Sequence, residues 1–333
     1  MDEAFEKCSI LFEFKEGKNF NRRNILNILR IVLKLHSVQN LRLTQKSDKR
    51  EYFSKVSWMA RALKEAILPS KCLVCGSFFQ SAMYKSYNLP VKIFNDESIL
   101  AYQKKNTFNK LMLPFLCPAC SSGFVPVESP SCCICGIMFK SRIGDDHVCG
   151  ECIKSPKKFR TARAVGVYEG TLMKTIQRLK YKGKIQLARP LGMLLFFAFI
   201  KYWNNKNRID LIVPVPLHIK RFRKRGFNQA YLLIREWFSY ADAFNVELSY
   251  SKIEKDALVK NKQTEPQTGF DRKQRLANIK NAFSIGDSSK ITGKSILLID
   301  DVYTTGATAN ECTKVLLNEG AKSVDVLTLA RGV

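Results

Sequence analysis

Eight of the eleven cysteines in this 333-residue chain form four Cys-x-x-Cys pairs: Cys72/Cys75, Cys117/Cys120, Cys132/Cys135 and Cys149/Cys152. Two thiolates two residues apart wrap one metal from a tight turn, and two such turns complete a tetrahedral sulfur site. In a reducing compartment this spacing reads as metal binding, not as a disulfide framework. Four pairs therefore predict two zinc sites. Sequential pairing would place one metal on the first two pairs and the other on the last two, while spacing alone leaves interleaved pairing open. An iron–sulfur cluster fits the same ligands, but short regular knuckles favour zinc. Gly76, Gly136 and Gly150 sit just after a cysteine, where a knuckle turn needs backbone freedom. With sulfur in every position no coordination site is left for substrate, so the metals are expected to be structural. Cys8 and Cys312 read as isolated thiols, Cys133 as a spare thiol that could replace a neighbouring ligand, and His147 as a surface residue.

Hydrophobic patterning divides the rest. Residues 1–71 form a basic, mainly helical extension, where Ile25, Leu26, Leu29 and Leu33 recur at helical spacing and a second helix over 56–67 stops at Pro69. Residues 72–155 are the zinc-ribbon region. Residues 156–333 alternate helices (171–180, 187–203, 228–242, 306–319) with strands (209–216, 246–253, 295–300, 324–330). That alternation implies an α/β domain with a mostly parallel twisted sheet covered on both faces. The run LGMLLFFAFI at 191–200 is too short to span a membrane and suits a buried helix. Asp2, Glu3 and Glu6 precede any apolar run, so no signal peptide is expected and the expected location is cytoplasmic. Lys plus Arg number 55 against 29 Asp plus Glu, a formal net charge of +26. Such an excess favours polyanionic partners, whether nucleic acid, anionic lipid or a phosphate-rich small molecule.

The stretch SILLIDDVYTTGAT, residues 295–308, carries the chemistry. An apolar strand of a parallel sheet delivers Asp300 and Asp301 to its C-terminal edge, where such sheets bind ligands. Thr304, Thr305, Gly306, Ala307 and Thr308 then turn into a helix whose first amides point outward. Amides, hydroxyls and the helix dipole suit a monoester phosphate. Two carboxylates beside a phosphate repel it unless they meet sugar hydroxyls or a divalent cation. A phosphorylated ribose satisfies all of these groups at once. The loop is not a Walker loop, which needs Gly-Lys-Ser/Thr after its glycines.

ILLIDDVYTTGAT resembles the phosphoribosyl-pyrophosphate signature of type I phosphoribosyltransferases. The resemblance implies that Asp300 and Asp301 hold the ribose hydroxyls and that Thr304 to Thr308 hold the 5′-phosphate. More of the chain is similar to one branch, the ComF competence proteins, which join a cysteine-rich zinc region to a phosphoribosyltransferase domain. LKYKG at 179–183 is similar to their start of the catalytic domain, and VPVPLHIKRFRKRGFNQA at 213–230 to their segment after the first sheet strand. TEPQTGFDRKQRLANIKNAF at 264–283 is similar to their mobile-loop region. The likeness covers roughly residues 65–333. Lys260 and Lys262 stand where the family commonly has arginines, which keeps charge but loses a two-pronged grip on phosphate.

The resemblance implies an enzyme that transfers a phosphoribosyl group from phosphoribosyl pyrophosphate, with Mg2+, to an acceptor the sequence does not identify. Asp300 and Asp301 are the candidate catalytic residues. Lys220, Arg221, Arg223, Lys224 and Arg225, after the turn at 215–218, are placed to neutralise pyrophosphate as the anomeric bond breaks. His218 is as readily structural as phosphate-binding. The 255–275 segment, with Lys260, Lys262, Arg272 and Arg275, is expected to be a mobile loop that closes and excludes water. The resemblance also implies a role in DNA uptake during natural transformation, beside a helicase-type partner. A reading of another class is a non-catalytic factor that binds single-stranded DNA on its basic face and keeps the fold as scaffold or nucleotide sensor.

Overall fold

The computed structural model describes residues 70–79, 104–203, 209–246, 248, 253–264 and 272–332. The two helices expected before residue 70, Cys8, most of the strand expected at 246–253, and Gln267, Thr268 and Gly269 lie outside these residues. Among the described residues the first elements are strands β1 (Ser70–Lys71) and β2 (Phe78–Phe79) and helices α1 (Lys104–Met112), α2 (Pro118–Ser122) and α3 (Gly150–Lys154). Strand β3 (Ala162–Val167) leads to helices α4 (Gly170–Tyr181) and α5 (Ala188–Trp203), then to β4 (Leu211–Pro214). Helices α6 (Ile219–Arg225), α7 (Gln229–Ile234) and α8 (Trp237–Ala243) follow, then β5 (Leu258–Lys260), α9 (Arg272–Ile279) and β6 (Phe283–Ile285). The last three elements are β7 (Ser295–Tyr303), α10 (Ala307–Asn318) and β8 (Ser323–Arg331).

Strands β3, β8, β7 and β4 lie side by side in that order, every pair parallel. Ile296 to Ile299 in β7 are fully buried, as expected of a strand covered on both faces. Because side chains alternate along a strand, Leu297 and Ile299 of β7 and Leu327 and Leu329 of β8 pack into one core. Ile296 and Leu298 of β7, with Val324 and Val326 of β8, pack into the other. Residues of α1, α4, α5, α7 and α8 cover the first face, and residues of α9, α10 and β6 the second. Helix α5 is apolar all round, with twelve of its sixteen residues buried, and so becomes the central helix of its layer. Together with the turn before it, α5 is long and apolar enough to cross a membrane, yet it is packed inside the protein. Gly192 lets α7 approach, since a Cβ there would lie 2.3 Å from the Leu233 carbonyl oxygen.

Several elements differ from expectation. Strand β3 is absent from the sequence reading, because Arg163 and Gly166 interrupt its apolar run. The helix expected over 228–242 is two helices, which break at Arg235 and Glu236 so that Trp237 can bury and donate to the Gly192 carbonyl at 3.1 Å. The segment expected as a loop at 255–275 contains β5, which pairs antiparallel with β6, and the start of α9. Leu258, Ile279 and Phe283 hold these pieces to the core, an apolar content too sparse to show a period.

Candidate functional site

The chain leaves β4 toward the helices of the first face and leaves β7 toward α10 on the second. A crevice opens between the C-terminal ends of two such strands, which is where parallel sheets take ligands. Pro214 pairs with Ile299, so the residues after β4 sit beside Asp300 and Asp301.

Strand alternation sends the two acids opposite ways. Asp301 is buried and meets Lys180 of α4, with Nζ 2.7 Å from Oδ2. The pairing holds the Lys180 ammonium above its ordinary pKa, against the pull of burial. Asp300 lines the pocket on the other side and accepts the Asp301 amide at 2.8 Å. Burial and the neighbouring Asp301 carboxylate push Asp300 up to about 8, with Lys180 opposing. Lys180 is missing from the residues picked out in the sequence, although LKYKG ends a helix on two cations beside an otherwise acidic site.

The pocket around Asp300 is lined by Tyr303, Thr304, Thr305, Gly306, Ala307 and Thr308, among others, and encloses about 310 Å³ including space open to solvent. Gly306 has φ of +78°, and a Cβ there would lie 2.2 Å from the Tyr303 hydroxyl oxygen, so glycine is required twice over. Beyond it α10 begins, with first-turn amides that helix geometry leaves without carbonyl partners. The Thr305 hydroxyl accepts one of them, from Ala307, at 3.4 Å. The structure thus brings Asp300 and residues 304–308 together and sets Asp301 behind them.

The basic run forms α6, a helix with no buried residue and hence no periodicity to read. Only two of its cations turn inward. Arg221 donates to the Thr264 carbonyl at 2.6 Å, and Arg225 donates to Gln229 and stacks 5.4 Å from the Tyr181 ring. Lys220, Arg223 and Lys224 are exposed. His218 caps α6, its Nδ1 accepting the Lys220 amide at 3.3 Å. Lys260 of β5 is half-buried, 5.1 Å over the Phe283 ring, and burial with Arg221 lowers it to about 8 while Cys312 and Asp300 oppose. Lys262 is exposed, and Arg272 and Arg275 lie in α9.

The cysteine pairs combine sequentially. Cys72, Cys75, Cys117 and Cys120 form one cluster and Cys132, Cys135, Cys149 and Cys152 the other, sulfurs within 4.8 Å of one another in each. Either cluster can chelate a metal ion. The Cys132 sulfur accepts the Cys135 and Cys149 amides at 3.4 and 3.3 Å. Burial raises that thiol, but these amides outweigh it and bring it down to about 6, which suits a thiolate ligand. Gly76 and Gly136 take positive φ as the knuckles need, whereas Gly150 opens α3 and does not. His147 stacks on Phe139 at 3.9 Å, Cys133 is exposed, and Cys312 is buried but belongs to neither cluster.

Four parallel strands, an acidic strand edge and a Thr/Gly loop opening a helix define a phosphoribosyltransferase-type fold, and the phosphoribosyl transferase domain family matches residues 224–332. Competence protein F of Haemophilus influenzae is 33% identical over 186 residues, 55% of this chain and 78% of that protein. Competence protein ComFC of Streptococcus pneumoniae is 28% identical over 262 residues, covering 78% of this chain and 100% of its own length. DNA utilization protein YhgH of Escherichia coli is 29% identical over 185 residues, 55% of this chain and 77% of that protein. The chain belongs to the ComF family of competence proteins.

Proposed function

We propose that the protein binds phosphoribosyl pyrophosphate, or a related ribose phosphate, with Mg2+, and transfers the phosphoribosyl group in support of DNA uptake in the cytoplasm. One observation carries the reading: a pocket that joins the Asp300 carboxyl to the Gly306 loop and the start of α10. The amides and the Thr304, Thr305 and Thr308 hydroxyls would hold the 5′-phosphate. Asp300 would take the ribose hydroxyls, and Asp301, fixed by Lys180, would orient it. Arg221, Arg225 and Lys260 converge on the same edge and would face the pyrophosphate as its charge grows. Mg2+ would supply further charge neutralisation on the pyrophosphate oxygens. The two cysteine clusters suit structural Zn2+, being all-sulfur with amides donating to the ligands.

Calorimetric titration of the zinc-loaded protein with phosphoribosyl pyrophosphate and Mg2+ tests this. Micromolar binding is expected, and Asp300→Asn should abolish it without stranding the Lys180 charge, as removal of Asp301 would. A folded, zinc-replete protein that does not bind would overturn the reading.

One observation favours a second reading. Helix α6 exposes Ile219 and Phe222, at 52% and 44%, between Lys220, Arg223 and Lys224, and the aromatic Tyr181 beside it is 65% exposed. Aromatic rings among cations suit single-stranded DNA. Strongly salt-dependent binding of an oligonucleotide that survives Asp300→Asn would place that activity on a surface separate from the pocket. A helicase-type partner would then act on the same strand.

A further inference from the structure

We propose that Arg331 couples the second cysteine cluster to the phosphate loop, so that metal occupancy at Cys132, Cys135, Cys149 and Cys152 sets the affinity of the pocket. The inference rests on the sugar-phosphate reading of the site. Arg331 ends β8 directly across from Tyr303 in the register of β7. It is 9% exposed. One end of its guanidinium faces the metal ligands: Nε donates to the Cys135 carbonyl at 3.1 Å and Nη2 lies 3.8 Å from the Cys135 sulfur. The other end holds the loop. Nη1 donates to the Thr304 carbonyl at 2.8 Å, reaches the Tyr303 carbonyl at 3.5 Å and also meets the Gly332 carbonyl. Its plane lies 4.5 Å from the Tyr303 ring, the ring that packs under Gly306.

Among the described residues, the partners shown for Arg331 are carbonyl oxygens, a thiol sulfur and a ring, with no carboxylate in an ion pair. A buried guanidinium needs a counter-charge. Four thiolates around one divalent ion carry a net charge of about −2 and supply it. A pocket open to solvent, lined by Cys135, Tyr303, Thr304, Thr305 and Arg331 among others, lies between cluster and loop, and Arg331 bridges the two. Loss of the metal frees the Cys135 turn, withdraws both anchors from the guanidinium and lets the Thr304 carbonyl shift. Arg331 is a positioning residue: it touches the loop, not the ligand. Lysine keeps the charge but has no planar fork to span both ends.

The test compares wild type, Arg331→Lys, Cys149→Ser and the double variant, each assayed for bound metal, for affinity toward phosphoribosyl pyrophosphate with Mg2+, and for metal release to a chelator. Arg331→Lys should retain both metals yet bind about tenfold more weakly. Cys149→Ser should lose one metal and weaken binding to a similar degree, and the double variant should be no worse than either single change. By reciprocity, the ligand should raise the metal affinity of wild type, read as the chelator concentration needed to strip the metal at equilibrium, and not that of Arg331→Lys. Wild-type binding that Arg331→Lys leaves unchanged, or additive losses in the double variant, would overturn the coupling alone. Absence of binding by metal-loaded wild type would overturn the sugar-phosphate reading and the coupling with it. Should Arg331→Lys fail to fold, stepwise chelation of wild type decides: affinity must fall with the second metal, and affinity that outlasts it overturns the proposal.

Discussion

The two cysteine clusters share ligand type and spacing but sit on opposite faces of the sheet, and they differ in exposure. The second is buried at all four positions, whereas in the first Cys75 is exposed and Cys120 partly so. Their attachments differ as well. The first cluster holds α4, through the Thr171 hydroxyl to the Cys120 carbonyl at 2.7 Å and Arg178 to the Val74 carbonyl at 3.2 Å. Helix α4 then delivers Lys180 to Asp301. The second is hydrogen-bonded to the Thr304 loop, among the described residues, through Arg331. Identical metal chemistry therefore supports the two ends of one site by different routes: one steadies the acid behind the pocket, the other the loop in front of it.

The largest expected effect separates the clusters by burial. Cys132 is fully buried and its sulfur takes two amides, so Cys132→Ser should release the second metal and cost more than about 4 kcal/mol. Cys75→Ser should cost less, because that sulfur faces solvent beside the Ser77 hydroxyl, where water can complete the coordination. Metal content together with urea unfolding measures both. Equal losses would mean that the exposure difference has no energetic consequence.

A smaller effect tests the route through α4. Lys180→Met strands the Asp301 carboxylate in a buried position and should cost about 3 kcal/mol. Asp301→Asn added to it should recover most of that loss, whereas two independent contributions would simply add. Unfolding of the four proteins at neutral pH gives the cycle. Recovery would tie the first cluster's helix to the acid pair as a unit; additivity would detach them.

The sequence displayed the parts whose signal is local. Four cysteine pairs and SILLIDDVYTTGAT each carry their meaning within a few neighbouring residues, and the structure makes sequential clusters and a strand–turn–helix of them. Lys180 and Arg331 act across the fold, the latter on a cysteine 196 positions away, and no local pattern encodes that. A hint was present all the same: a lone arginine closes the buried strand SVDVLTLAR at the sheet edge where ligands bind. Helix α6 and the β5–β6 pair escaped for a different reason. The first buries nothing and the second pairs three residues with three, so neither writes a hydrophobic period. The opposite fates of Asp300 and Asp301 follow from strand alternation, but reading them needs the partner on each face.

The smallest effect concerns that pair of fates. Asp301 has its cation, whereas Asp300 is held up to about 8 by burial and by Asp301. Between roughly pH 4 and 8 the folded carboxyl keeps a proton that the unfolded chain has released. Stability of the ligand-free protein should therefore fall as pH rises through that window, by on the order of 2 kcal/mol once solvent screening at the partly exposed pocket discounts the full linkage. Asn at 300 cannot lose the proton. Asp300→Asn should match wild type near pH 4 and exceed it at pH 8, while binding no sugar phosphate at either. Thermal unfolding of both proteins across the range checks it, and parallel pH curves would mean that Asp300 is ionised as readily in the folded state as in the unfolded chain. A gain at pH 8 alone would mark Asp300 as the acid kept for a ligand at some cost to the fold, and Asp301, whose charge is already matched, as the one kept for the structure.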